Sequence, residues 1–261
     1  MPAVDPARLR RETQTLLLEF DRPAELVEGV LSLLDFYADR TSRPGAYAAM
    51  RAPQRTFSAP APVVNSLRSA LGREAADRPA QAWEVADRLW AAGHHETYLL
   101  AAAVVEPQAD PRAAAWVEDR LRPGLDDRLQ ELLAATAWRG WRCADPEAFL
   151  ALTEDWIRGK EPARRTFAFI ALRAAVEPAE PERLAPMIDL LYRLPSLRAP
   201  AAQQARLDLL RALAAATPAE VAAYLMHEHS RSAPGSERDL RELLDRFPSD
   251  LQVRLRLALK G

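Results

Sequence analysis

Apolar residues recur along almost the whole chain at intervals of three and four. Leu9, Leu16, Leu17 and Phe20 follow that spacing, as do Leu26, Val30, Leu33, Leu34 and Tyr37. Such spacing lays side chains along one stripe of an α-helix. No segment sustains the apolar–polar alternation of a half-buried strand, so no sheet is predicted. The pattern predicts helices over 6–21 and 23–40, and a short one over 63–72 closed by Gly72. From residue 80 the rhythm is regular, with helices over 80–92, 95–106, 111–122, 126–138, 146–158 and 161–176. It continues over 182–194, 200–216, 218–229, 236–247 and 249–259. Between 46 and 62, Pro53, Pro60 and Pro62 interrupt the pattern, and a short helix plus an extended segment is expected there.

Five of these helices open on a proline: Pro79, Pro111, Pro146, Pro181 and Pro218. The steps between them are 32, 35, 35 and 37 residues by subtraction. Proline suits the first helical position, where its missing N–H is no loss. Asp110, Asp145 and Thr217 each precede such a proline and are candidate caps. A period in that range with two helices per step is the signature of an α-solenoid. The chain is therefore predicted to be all-α, an α-α superhelix of about six to seven helix pairs in a single domain spanning 1–261. A capping pair would occupy 1–45, the repeat body 46–229 and the last helices 230–261.

Composition sharpens this picture in few places. Half the residues are apolar, and alanine and leucine dominate over β-branched types, which favours helix throughout. No stretch reaches the roughly 20 apolar residues that cross a bilayer. The opening MPAVDPARLRRETQ has no apolar core of a signal peptide, and a cytoplasmic protein is expected. The net charge of −2 argues against a binder driven by bulk charge alone. Basic residues are almost all arginine, with Lys160 and Lys260 the exceptions. Arginine suits bidentate phosphate contacts, and it is also what a GC-rich genome writes by default.

Little chemistry stands out. The single Cys143 excludes an intramolecular disulfide and a cysteine-based zinc cluster, and it is expected on a half-buried helix end. His94, His95 and Glu96 open a helix after Gly93, and a capping role is expected there rather than a metal site. No cofactor or metal is predicted. Asp126 and Asp127 follow a Pro-Gly turn and suit a helix start. The segment WRGWRC places Trp138, Arg139, Trp141 and Arg142 within five residues. Two roles are open to it: stacking on bases, or wedging one helical layer against the next. Trp83, Trp90, Trp116 and Trp156 sit at core spacing.

The segment ADRLWAAGHHETYLLAAAVVE at 86–106 resembles the DNA alkylation repair family of HEAT-like proteins, in which a Leu-Trp helix end leads through a short turn into an Ala/Leu-rich helix. DWIRGKEPARRTFAFIALRAA at 155–175 resembles that family's Trp-containing helix followed by an arginine-bearing apolar helix. The resemblance runs from about residue 46 to 228. It implies a right-handed HEAT-like superhelix that holds duplex DNA against an arginine-bearing concave groove. It also implies a metal-independent glycosylase that releases cationic alkylated purines. An aspartate would stabilise positive charge developing on the sugar, and that role falls on Asp127 with Asp126 beside it. The phosphate-contacting arginine falls on Arg165, with Arg164 adjacent. Arg122, Pro123, Gly124 and Asp208 stand where the family carries cleft tryptophans, and Trp138 and Trp141 are the candidate substitutes. The reading of another class is a catalytically inert scaffold for a protein partner. Convergence of Arg68, Arg88, Arg122, Arg128, Arg139, Arg142, Arg165 and Arg173 on one surface would favour DNA, and local pairing with carboxylates would favour the scaffold.

Overall fold

The computed structural model of the protein describes residues 4–38, 55–122, 124–176, 184–194, 197, 199–233 and 235–259. Those residues are all-α, and a lone β-bridge between Arg55 and His94 is the only extended pairing among them. The chain groups into two compact units, one built from 1–120 and 124–145, the other from 121–123 and 146–261.

The first unit contains α1 (Pro6–Leu17), α2 (Pro23–Phe36), α3 (Ala61–Asp77), α4 (Pro79–Ala91), α5 (His95–Val105), α6 (Arg112–Glu118), α7 (Asp127–Leu132), a π turn (Leu133–Ala137) and α8 (Arg139–Ala144). Helices pack on their second neighbours as well as their first. α1, α3, α5 and the π turn form one row, and α2 and α4 pack alongside. This is the stacking of helix pairs that a repeat of 32 to 37 residues calls for. α5 is enclosed on all sides. Leu100, Ala101, Ala102, Val104 and Val105 are fully buried, and its sequence is accordingly apolar all round.

The second unit contains α9 (Pro146–Arg158), α10 (Pro162–Val176), α11 (Ala185–Arg193), α12 (Pro200–Ala216), α13 (Pro218–Ser230), α14 (Ser236–Leu243) with a 3-10 turn (Leu244–Arg246), and α15 (Ser249–Ala258). α10 packs on α9 and α12, and α13 on α11, α12, α14 and α15. Phe167, Phe169, Leu172, Leu209, Leu210 and Leu213 are fully buried in this unit's core.

Pro79, Pro146 and Pro218 open helices as predicted, while Pro181 lies outside the described residues. Asp110 caps the start of α6 by accepting from the Arg112 N–H at 2.7 Å. Thr217 does not cap α13: it is buried, and its hydroxyl donates back to the Leu213 carbonyl at 3.2 Å. Gly72 does not close α3, which runs on to Asp77. A Cβ at Gly72 would lie 3.1 Å from the Ala103 carbonyl, so the glycine serves the approach of α3 to α5 instead. α6 stops at Glu118, short of the predicted 122, because Arg120 folds back to donate to the Trp116 carbonyl at 2.6 Å and pairs with Asp87. The predicted helix over 126–138 becomes α7 and a π turn, and RGWRCA after Trp138 is itself helical as α8. The predicted segment before Arg55 lies outside the described residues.

Candidate functional site

Leu125 and Asp126 lead into α7. The half-buried Asp126 is its N-cap, and Oδ1 accepts from the Arg128 N–H at 2.9 Å. Asp127 takes no part in that cap. It is exposed in the first turn and makes no side-chain hydrogen bond or ion pair with the described residues. The two aspartates thus separate. One fastens the helix start, and the other presents a free carboxylate to solvent.

Downstream, the π turn changes which side chains face inward. The Trp138 N–H donates to the Leu133 carbonyl at 3.1 Å, the wide bond of a π turn. Trp138 is fully buried, and its indole N–H donates to the Ala113 carbonyl of α6 at 3.2 Å. Trp141 is also buried and meets Trp138 edge to face, with ring centroids 5.4 Å apart. Of the two roles open to this pair, the structure shows the wedge between helical layers. Arg142 is buried too. Its guanidinium donates to the Ala134 carbonyl at 2.6 Å and to that of Ala135 at 3.5 Å, both within the π turn. Burial pushes its pKa below the usual arginine value. Arg139 is exposed and ion-paired to Glu106 at 2.8 Å.

In the second unit, Arg164 and Arg165 lie in the first turn of α10. Arg164 lies over the Trp156 ring at 5.9 Å. Arg165 is half-buried and donates to the Gly159 carbonyl, closing the turn between α9 and α10. The structure therefore divides the predicted site residues between the two units. Asp126, Asp127, Trp138, Arg139, Trp141 and Arg142 belong to the first, and Arg164 and Arg165 to the second.

Of the arginines singled out in the sequence, Arg88 pairs within its helix with Glu84 at 2.9 Å. Trp83, Trp116 and Trp156 are buried as predicted, and Trp90 is half-buried, its ring tilted against Tyr98. Cys143 is exposed rather than half-buried. The His94–Glu96 turn has a function that sequence reasoning missed. Glu96 is almost wholly buried and accepts from the Thr56 hydroxyl at 2.8 Å and the Phe57 and Ala59 N–H groups at 3.1 and 3.3 Å. His94 stacks on Phe57 with centroids 4.4 Å apart. Glu96 thereby clamps the extended segment that enters α3. The Thr97 hydroxyl oxygen accepts from the His94 N–H at 3.1 Å and so caps α5. The partners of Glu96 lie 37 to 40 residues upstream, so no local motif could have revealed the clamp. Among the described residues no helix is long and apolar enough to cross a membrane.

Neither a curated protein nor a solved structure gives a significant match to this chain. A family model described as DNA alkylation repair enzyme, however, matches residues 30–244, which include the α7 aspartates and the α10 arginines. On that match over most of its length, the chain belongs to the DNA alkylation repair enzyme family.

Proposed function

We propose that the chain binds duplex DNA and releases alkylated purine bases by hydrolysing the N-glycosidic bond, with Asp127 as the residue that stabilises the transition state. The observation that carries this reading is the family match over 30–244, together with an exposed carboxylate at 127 that has no side-chain partner among the described residues. An alkylated purine is a cationic leaving group. When the C1′–N bond breaks, the electron pair departs with the base, which leaves neutral. Positive charge then develops on the sugar, and a carboxylate nearby stabilises it electrostatically. Water adds its oxygen to C1′ and gives up a proton to solvent. No metal or cofactor is required by this chemistry. Arg165 is the candidate phosphate contact in the second unit.

Asp127→Asn tests the assignment. Release of a cationic alkylated purine from duplex should fall by about a hundredfold or more, while duplex affinity measured by fluorescence anisotropy stays the same. Unchanged release would move the chemistry to another residue.

A second reading, a catalytically inert scaffold that binds a protein partner, draws on two observations. Trp138 and Trp141, the substitutes for cleft aromatics, are buried, and Arg88 and Arg139 are paired with local carboxylates. The same anisotropy experiment decides between the two. Absence of duplex binding at low salt leaves the scaffold, and binding that weakens steeply with salt supports the repair reading.

A further inference from the structure

A shallow open groove runs over the α3, α5 and α8 surfaces of the first unit. Arg68, Arg73, Glu106, Arg139 and Cys143 line it. Gly72 and Gly140 line it as well, and both sit where a side chain would strike the backbone of the neighbouring segment. The helices therefore approach closely beneath a surface of small residues, and the arginines stand above it.

The charge of this groove is not neutralised from within. Many arginines of the chain are spoken for: Arg78 by Glu74 and Asp21, Arg120 by Asp87, Arg158 and Arg193 by Glu154, Arg211 by Asp208 and Glu242. Arg68 and Arg73 have no ion pair among the described residues. Arg68 is half-buried, and its Nε–H finds no acceptor among the described residues, while Arg73 is exposed. Glu106 is ion-paired with Arg139. Two forked donors thus remain without an ion-pair partner among the described residues, in a chain whose overall charge is −2. The two residues are five apart on α3, about 7.5 Å along the axis, so they reach different acceptors rather than one.

We infer that this groove is a phosphate-backbone contact for duplex DNA, with Arg68 and Arg73 each engaging a separate phosphate. The inference rests on the proposed DNA-binding function and assigns part of its binding surface to residues outside the predicted site. The chemistry fits. A guanidinium offers two parallel N–H donors to a phosphodiester, and the small groove residues let the backbone come close. Glu106 sets the limit of the contact by holding Arg139 back from it.

The single cysteine of the chain lies in this groove and is exposed, so the site can be footprinted on the intact protein without mutation. Labelling of Cys143 by a maleimide is timed with and without a saturating undamaged duplex. Binding at the groove should slow labelling several-fold, and unchanged labelling on a protein shown to be bound would overturn the inference. The second measurement is the salt dependence of anisotropy. Arg68→Gln/Arg73→Gln should make the log–log slope shallower by about 2, and the exposed Arg73→Gln alone, whose folding is not at stake, by about 1. Glu106→Gln, which frees Arg139, should steepen it. Slopes equal to wild type in these variants would sink the groove while leaving the proposed function standing. A wild-type protein that binds no duplex at low salt would bring down both.

Discussion

Arg142 carries a guanidinium into the core of the first unit, where it donates to the carbonyls of Ala134 and Ala135. A π turn spans five residues per hydrogen bond and leaves carbonyls that the next helix cannot satisfy, and Arg142 satisfies them. Arg142→Met keeps most of the stem and removes the donors. The Ala134 residue is buried, so its carbonyl loses its partner without gaining water. The expected loss is about 1–3 kcal/mol, read by urea unfolding followed through tryptophan fluorescence, with duplex affinity unchanged. Affinity lost at unchanged stability would instead make Arg142 a DNA contact. The sequence showed that tryptophans and arginines cluster here, yet it could not show which way they face. One extra residue in a turn rotates everything after it by about 100°, and nothing in LAATA announces that insertion. The same limit applies to Asp126 and Asp127. Either could cap a helix, and only the backbone decides that Asp126 does.

Helix packing in the first unit depends on how closely α8 approaches the end of α5. A Cβ at Gly140 would overlap the Glu106 carbonyl and lie 3.0 Å from that of Gln108. Backbone atoms cannot swing aside as a flexible side chain can. Alanine is the better helix former by about 1 kcal/mol, whereas overpacking a close contact costs about 1–3 kcal/mol. Gly140→Ala should therefore lower the melting temperature, and a rise would show that α8 has room to shift. The milder contact at Gly72, 3.1 Å from the Ala103 carbonyl, should give a smaller loss. Both glycines bear on how well the elements were legible. Helix starts were read accurately because proline and aspartate act locally, as at Pro79, Pro146 and Asp110. Helix ends were read less well because their causes lie elsewhere in the fold. Gly72 looked like a terminator and is an interhelical contact. α6 ends where Arg120 reaches Trp116 and Asp87, and Asp87 lies 33 residues away by subtraction. Of the candidate site, the sequence resemblance supplied the family and the aspartate pair. Arg68 was visible only as one member of a longer set of arginines, and Arg73 was not singled out at all, because pairing is a tertiary property.

At the scale of the whole molecule, the chain divides into two compact units, so unfolding need not be a single transition. Five of the six tryptophans belong to the first unit, and Trp156 is the one in the second. Two carboxylates of the second unit contribute to its acid response with opposite signs. Hydrogen bonding from Arg193, aided by the charges of Arg193 and Arg158, holds the Glu154 carboxyl below its ordinary value of 4.5. A depressed carboxylate contributes stability that is fully present above its unfolded value and is lost as pH falls through the folded one. Asp239 goes the other way, because burial raises its carboxyl above 3.8 despite the Arg206 pair. Between its unfolded and folded values, stability falls as pH rises, so Asp239 partly masks the acid loss due to Glu154. Glu154 bridges α9 to α11 through Arg193 at 3.0 Å, an exposed pair of the kind that typically contributes about 0.2–1 kcal/mol and weakens with salt. Glu154→Gln should therefore lower the stability of the second unit at neutral pH and flatten its decline below about pH 4.5. Denaturant midpoints followed by Trp156 fluorescence at several pH values, with the other five tryptophans replaced by phenylalanine in both proteins, would read this directly. An acid decline as steep in the variant as in the parent would place the pH sensitivity of this unit on groups other than Glu154.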